Sequence, residues 1–192
     1  MRLAKIILLL LTSISWAQEQ FVITGNFERI TQKEIVLKGY NGLEEFELDK
    51  TTTDTNGQFT LKYPATYQGA ALIEIVQGKK LIVLLNRENF QIDGTDLNST
   101  KNIQFTGSVE NVTFDYGLSV YQNTQEKKAG ISHLLPYYTN EPKKSEFFKS
   151  ELAQLNEVLP KFLQEIPSQS YVHYYLKLRF LIADFQKSIF AT

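Results

Sequence analysis

The spacing of apolar residues changes at Gly107, and this change constrains the fold more than any other feature. From Phe21 to Phe105 apolar residues alternate with polar ones, and glycine, asparagine or aspartate interrupts the pattern at short intervals. After Gly107 the apolar residues recur at helical spacing. The sequence therefore predicts a mainly β plus α protein, with an N-terminal antiparallel β-sandwich of about eight strands followed by a helical extension of about three helices.

Individual strands and helices are each expected to bury one apolar face. Phe46 and Leu48 alternate with acidic residues, which predicts a strand that points both of them inward. The run from Leu81 to Leu85 is apolar on both faces, so another element should cover its outer side. Pro160 predicts a kink or break in the second helix near Leu159.

Helical spacing predicts the apolar face of each helix. The first stripe is Val109, Val112, Tyr116 and Val120. The second is Phe148, Leu152, Leu155, Leu159, Phe162 and Ile166. The third is Tyr171, Tyr174, Leu178, Ile182, Phe185 and Ile189, and we expect the second and third helices to form an antiparallel hairpin.

The first 17 residues have the features of a secretory signal peptide. Arg2 and Lys5 precede a short apolar run, and small residues lead to an expected cleavage site after Ala17. We therefore expect a signal peptide at 1–17, a β-sandwich domain at 18–107 and a helical connector region at 108–192. The expected location is the periplasm or cell envelope, without a stable membrane span after cleavage. The third apolar stripe still continues at Phe190, which suggests a truncated chain.

Composition excludes several classes of function. The chain has no cysteine, two histidines and a formal net charge of -1. The lack of cysteine excludes disulfides, a thiol nucleophile, cysteine-ligated zinc and iron–sulfur clusters. A nearly neutral charge does not favour nucleic acid as a partner. The sequence also has no nucleophile–base pair and no phosphate-binding glycine loop, so we predict no catalytic residue, no metal site and no cofactor.

Three groups of residues attract a more specific interpretation. Asp49, Asp54 and Asn56, with Gly57, could form a calcium loop, but position 65 is alanine where an EF-hand that begins at Asp54 needs glutamate. A structural hairpin turn at Asp54, Asn56 and Gly57 is therefore favoured. A structural cap of the first helix is predicted at Gly107, Ser108 and Asn111. The third group is a set of tyrosines that could form a ligand surface: Tyr137, Tyr138, Tyr171, Tyr174 and Tyr175.

Taken together, these segments resemble a known family. Residues 53–59 are similar to the Thr-Asp-x-x-Gly-x-Phe hairpin of envelope β-sandwiches, including carboxypeptidase-regulatory-like domains. With the strand from Val22 to Phe27 and the later Gly-Ser-Val-Glu-Asn segment at 107–111, they resemble a domain of unknown function. This β-sandwich heads many exported TlpA-like thioredoxin-family proteins of Gram-negative bacteria. The resemblance covers about Phe21 to Tyr121, and the later helices are similar to the helical connector of such proteins.

The resemblance implies an accessory role. In that family the catalytic part is a C-terminal thioredoxin domain with Trp-Cys-x-x-Cys, whereas this sequence has no cysteine and its only tryptophan is Trp16. The leading hypothesis is a non-catalytic accessory region of an exported thiol–disulfide oxidoreductase, linked to cell redox homeostasis by association. Its partner would be a C-terminal thioredoxin domain or an envelope protein. The alternative is a free-standing envelope β-sandwich module that binds a glycan or peptide.

Overall fold

Eight strands form two four-stranded sheets in the part of the chain that the structure describes. This computed structural model describes residues 19–75, 78–97 and 102–190, so the expected signal peptide at 1–17 lies outside the described residues. The strands are β1 (Gln20–Phe27), β2 (Glu34–Asn41), β3 (Glu44–Thr52), β4 (Gln58–Pro64), β5 (Gly69–Ile75), β6 (Lys79–Leu85), β7 (Phe90–Gly94) and β8 (Ile103–Thr106).

The first sheet has the order β4-β1-β7-β8, and the second has the order β3-β2-β5-β6. Every pair is antiparallel except β1 and β7, which run parallel. The inner faces of the two sheets enclose one hydrophobic core. Its fully buried side chains include Ile23, Leu37, Leu61, Ile73 and Ile92. The period-two pattern therefore produces the predicted sandwich, because each strand turns alternate residues towards this core.

The helical part consists of three helices and a short 3-10 turn within the described residues. They are α1 (Val109–Leu134), the 3-10 turn (Leu135–Tyr138), α2 (Pro142–Glu165) and α3 (Tyr171–Phe190). Both α2 and α3 pack against α1. None of the helices in the described ranges is both long and apolar enough to cross a membrane.

A second hydrophobic core joins the helices to the outer face of the second sheet. Leu84 of β6 is fully buried there, together with Phe114, Leu176 and Phe180. The half-buried Ile82 packs against the same cluster. The prediction that another element covers the outer side of residues 81–85 is therefore confirmed, and the covering elements are helices.

Two predicted helix faces were wrong. In α1, Val109, Val112 and Tyr116 are exposed, and the buried positions are Glu110, Asn111, Phe114, Gly117 and Thr124. In α3, Tyr174, Leu178, Ile182 and Phe185 are exposed, and the buried positions are Val172, Leu176 and Phe180. The side chain of Ile189 lies outside the described residues. Both helices carry apolar residues on more than one face, so spacing alone does not select the buried one.

Two smaller expectations also differ from the structure. Phe46 remains 42% exposed and packs edge-on against Tyr67, because it lies opposite Gly39, which has no side chain to cover it. The predicted break at Pro160 is also wrong, since α2 continues to Glu165, whereas the alternative of a kink stays a prediction. Pro160 is on the exposed side of the helix, where water can satisfy a carbonyl that loses its intrahelical partner.

Candidate functional site

A pocket of about 340 Å³ lies where the start of α3 meets the outer face of the second sheet. Four tyrosines from three parts of the chain line it, Tyr40, Tyr67, Tyr171 and Tyr175. Its floor is formed by β5 and β6. The pocket combines aromatic rings with hydroxyl groups, which is a surface suited to ligands that are partly apolar and partly polar.

The hydroxyl groups of two tyrosines complete the hydrogen bonding of β5. The register between β2 and β5 ends at Leu72, two residues after Ala70. The Tyr67 hydroxyl donates to the Ala70 carbonyl at 2.6 Å, and the Ala70 N–H donates to the Tyr171 hydroxyl at 3.0 Å. These tyrosines therefore occupy positions that a neighbouring strand would otherwise fill.

The other contacts of these rings fix the shape of the pocket. The Tyr67 hydroxyl also accepts from the Tyr40 N–H at 2.9 Å, and Gly39 leaves room for the ring, since a Cβ there would lie 2.6 Å from it. Tyr175 stacks with Tyr171 and packs edge-on against Phe114. Burial raises the pKa of Tyr67 and of Tyr175, so both phenols stay protonated at neutral pH.

The five tyrosines singled out in the sequence do not form one surface. Tyr171 and Tyr175 are in the pocket, whereas Tyr174 is exposed on another side of α3. Tyr137 is 73% exposed beside His133, and Tyr138 packs against Phe148. Tyr171 is next to Glu110 at the start of α1 and Tyr137 is at its end, so roughly 35 Å of helix separates the two groups. Sequence reasoning missed Tyr40 and Tyr67, which only the sheet register brings to the pocket.

The Gly-Ser-Val-Glu-Asn segment at 107–111 forms a joint between the sandwich and the helices. Gly107 has φ +84°, a value that favours glycine, and turns the chain from β8 into α1. Ser108 caps α1 by accepting the Asn111 N–H at 3.1 Å, and its hydroxyl donates to Glu88. We call residues 107–111 the joint.

Asn111 attaches the joint to the edge of the second sheet. Its side chain accepts the Leu84 N–H at 2.7 Å and donates to the Leu84 carbonyl at 2.8 Å. Because β6 is at the edge of the second sheet, this amide takes the place of a further strand. Both Asn111 and Leu84 are fully buried, so neither set of polar groups has water as an alternative partner.

Glu110 attaches the joint to α3. Its carboxylate accepts the backbone N–H of Tyr171 at 3.2 Å and of Val172 at 2.6 Å, which are the first residues of that helix. A carboxylate at this position also interacts favourably with the positive end of the helix dipole. The Asn86 amide donates to the same carboxylate at 3.0 Å. Glu110 is therefore a structural cap, although its sequence position gives no sign of this.

Glu88 is the second carboxylate at the joint. Burial raises the pKa of Glu88, and the negative charge of Glu110 raises it further. The hydrogen bond from Ser108 acts in the opposite direction. Glu110 therefore faces two backbone N–H groups and the Asn86 amide, and Glu88 faces the Ser108 hydroxyl.

The carboxylates in and near the turn between β3 and β4 also accept hydrogen bonds from backbone N–H groups. Asp54 accepts the N–H groups of Asn56 and Gln58, each at 2.8 Å, and Gly57 has φ +82°. Asp49 accepts the N–H of Lys62 at 2.7 Å. Among the described residues, no three histidine or acidic side chains are grouped so that they could hold a metal ion. The geometry of this turn is that of an Asx turn between β3 and β4.

Comparison with known proteins gives one family-model match, which covers the sandwich. No curated protein matches the chain. Among solved structures, the chain is similar to a 9R-lipoxygenase from Cyanothece PCC8801 at 13% identity and a TM-score of 0.28, over 66% of this chain. The match spans only 25% of the lipoxygenase, and a similarity this low does not establish a shared fold or function. Residues 21–114, which include the sandwich and the start of α1, match a family model described as a domain of unknown function, DUF4369.

Proposed function

We propose that this chain is a non-catalytic accessory region of an exported thiol–disulfide oxidoreductase of the thioredoxin-like class. It acts in the cell envelope and contributes to cell redox homeostasis by association with the catalytic domain. The chain has no cysteine, so it supplies no thiolate for disulfide exchange. Its contribution is the placement of a partner domain.

The joint is the observation that supports this proposal most. Asn111 bonds to the edge of the second sheet and Glu110 caps α3, so the start of α3 has a defined place on the sandwich. An element held in this way can position a partner instead of tethering it loosely. The family match at 21–114 and the sequence resemblance described above support the same proposal.

Reading the coding DNA beyond codon 192 is the first test. A frame that continues into a thioredoxin domain with Trp-Cys-x-x-Cys, or a neighbouring gene that encodes one, supports the proposal. A stop codon with no such gene nearby contradicts it.

A capture experiment tests the association itself. The tagged chain is expressed in its own host and isolated from the envelope, and co-purifying proteins are identified by mass spectrometry. We expect a protein with Trp-Cys-x-x-Cys to co-purify with the unaltered chain and with the exposed-site control Asn123→Ala, and to be reduced in Asn111→Ala, whose joint is weakened. Capture that is equal in all three would show that the joint does not present the partner.

The tyrosine pocket supports a second candidate, a free-standing envelope module that binds a glycan or peptide. Trp16 is the only tryptophan, so a chain cleaved after Ala17 would have tyrosine emission without tryptophan interference. We expect oligosaccharides or short peptides to quench this emission in the unaltered chain and less so in Tyr175→Leu. A flat response to both ligand classes would remove this candidate.

A further inference from the structure

The outer face of the first sheet carries a regular array of polar side chains. Strand registers align them in two rows, each of which crosses all four strands. One row is Thr60, Thr24, Gln91 and Thr106, and the other is Gln58, Asn26, Asp93 and Gln104. We call these side chains the polar grid. Because neighbouring strands are about 4.8 Å apart, each row extends over roughly 14 Å.

The polar grid differs from the outer face of the second sheet. There, Lys38 forms ion pairs with Glu45 and Glu74, and Lys80 pairs with Glu45. In the grid, every member except Asp93 is a neutral amide or hydroxyl. Such groups both donate and accept hydrogen bonds, whereas an ammonium only donates and a carboxylate only accepts.

Two hollows lie over the grid and meet at its centre. The larger has a volume of about 570 Å³ and is bordered by Thr52 and Asp54 from the end of β3 and the following turn. The smaller has a volume of about 290 Å³ and is bordered by Glu28. Asn26 and Asp93 line both hollows. The larger volume is in the range of small-molecule sites.

Asn26 has an unused hydrogen-bonding group at this meeting point. Its Oδ1 atom is buried and accepts no hydrogen bond from the described residues. A buried amide oxygen without a donor is unfavourable, and a ligand hydroxyl could supply that donor. Gln91 donates to Asp93 at 2.7 Å, which leaves the second carboxylate oxygen of Asp93 as a further acceptor.

We propose that the polar grid binds a neutral oligosaccharide. Each sugar hydroxyl is a donor and an acceptor, as are the amides and hydroxyls of the grid. The carboxylates of Asp93, Asp54 and Glu28 surround the hollows without a lysine or arginine among the lining residues, so anionic sugars are disfavoured. The grid has no aromatic platform, so binding is weak. The grid presents side chains and not strand backbone, so it does not supply the main-chain pairing by which extended peptides are commonly bound.

The test is a titration of the purified chain with cellotetraose, maltotetraose, mannotetraose and chitotetraose, followed by amide chemical shifts. Saturable shifts confined to β1, β4, β7 and β8 are expected with at least one of these sugars. The double variant Thr24→Val and Gln91→Met keeps side-chain size and removes hydrogen-bonding groups, and it should weaken binding at least tenfold. The control Thr139→Val and Gln164→Met makes the same changes on the helical part and should bind like the unaltered chain.

Three outcomes would overturn the proposal. The first is the absence of a saturable response to all four sugars. The second is equal binding by the grid variant and the unaltered chain, with circular dichroism showing that both are folded. The third is a response located at Tyr171 and Tyr175, or tighter binding of tetragalacturonic acid or tetra-alanine, which would indicate the other sheet or another ligand class. The grid is on the first sheet, whereas Asn111 of the joint bonds to the second, so these results are independent of the accessory function proposed above.

Discussion

The two hydrophobic cores of this protein depend on each other unequally. All members of the sandwich core come from the strands and the loops between them, as Ile30 and Leu61 illustrate. The helical core includes Leu84, Ala70 and Ile82, which belong to the second sheet. The helices therefore need the sandwich as a packing surface, whereas the sandwich encloses its own core. Sequence periodicity is clear in the self-contained region and ambiguous in the dependent one.

The largest expected effect comes from a matched pair of core truncations. Leu61→Ala and Leu176→Ala each empty a fully buried leucine site and should cost about 2–5 kcal/mol. Leu61→Ala should lower amide protection in both regions, since the helices pack on the sandwich. Leu176→Ala should lower protection in α1 and α3 and leave β1 and β4 unchanged. Equal loss in both regions with Leu176→Ala would show a single cooperative unit.

The joint offers the next largest effect. Asn111→Ala leaves the Leu84 N–H and carbonyl buried without their partner, at an expected cost of about 2–4 kcal/mol to the stability of the helical part. Urea unfolding followed by circular dichroism at 222 nm measures this cost. Asn123→Ala, an exposed change on the same helix, should stay within about 0.5 kcal/mol of the unaltered chain. Similar losses in the two variants would remove the joint as the main attachment.

A smaller effect is expected at the tyrosine pocket. Tyr171→Phe removes the hydroxyl that accepts the Ala70 N–H and should lower the free energy of unfolding by about 0.5–1.5 kcal/mol. Tyr174→Phe removes an exposed hydroxyl three residues along the same helix and should have no measurable effect. Urea midpoints of the two variants give the comparison, and a reversed order would contradict the bridging role of Tyr171.

The smallest effect concerns pH. The pKa of Glu88 is raised in the folded protein, so the folded state holds its proton more tightly than the unfolded state. The associated stability is present below the ordinary glutamate pKa of 4.5 and is lost as pH rises through the raised value. The melting temperature of Glu88→Gln relative to the unaltered chain should therefore be higher at pH 7 than at pH 4.5.

The exposed change Glu157→Gln is the control for this pH series and should show no such dependence. Burial also raises the pKa of Asp115. Asp115 is present in every chain compared, so its contribution to the pH dependence cancels in the differences. An unchanged difference between Glu88→Gln and the unaltered chain across this pH range would contradict the burial of the Glu88 carboxyl.

The strands could be predicted from the sequence because each has one inward face. Ile23, Leu61 and Ile92 alternate with polar residues, and that alternation is a local property. Phe46 is an exception because it lies opposite Gly39, which has no side chain to cover it, and the sequence does not reveal this pairing. The helix faces were predicted wrongly because Leu178 and Leu176 are both apolar, and only the sheet beneath them decides which is buried.

The site was only partly visible in the sequence for a similar reason. Ser108 and Asn111 have the spacing of a local cap, and the structure places them at the start of α1. Glu110 caps a helix that begins 61 residues later, and Asn111 bonds to a strand 27 residues earlier. Contacts over such distances leave no periodic signal. Glu110 and Asn111 are two adjacent polar residues at the start of a helix that otherwise packs through apolar side chains. This is the sequence feature that could have suggested these contacts.

The attachment of the helices through Asn111 is tested most directly by hydrogen exchange at the Leu84 amide. In the unaltered chain this N–H should exchange slowly although β6 is an edge strand, and Asn111→Ala should speed its exchange at least tenfold relative to the Leu61 amide. Fast exchange of the Leu84 amide in the unaltered chain, or equal exchange in the two chains, would contradict the account.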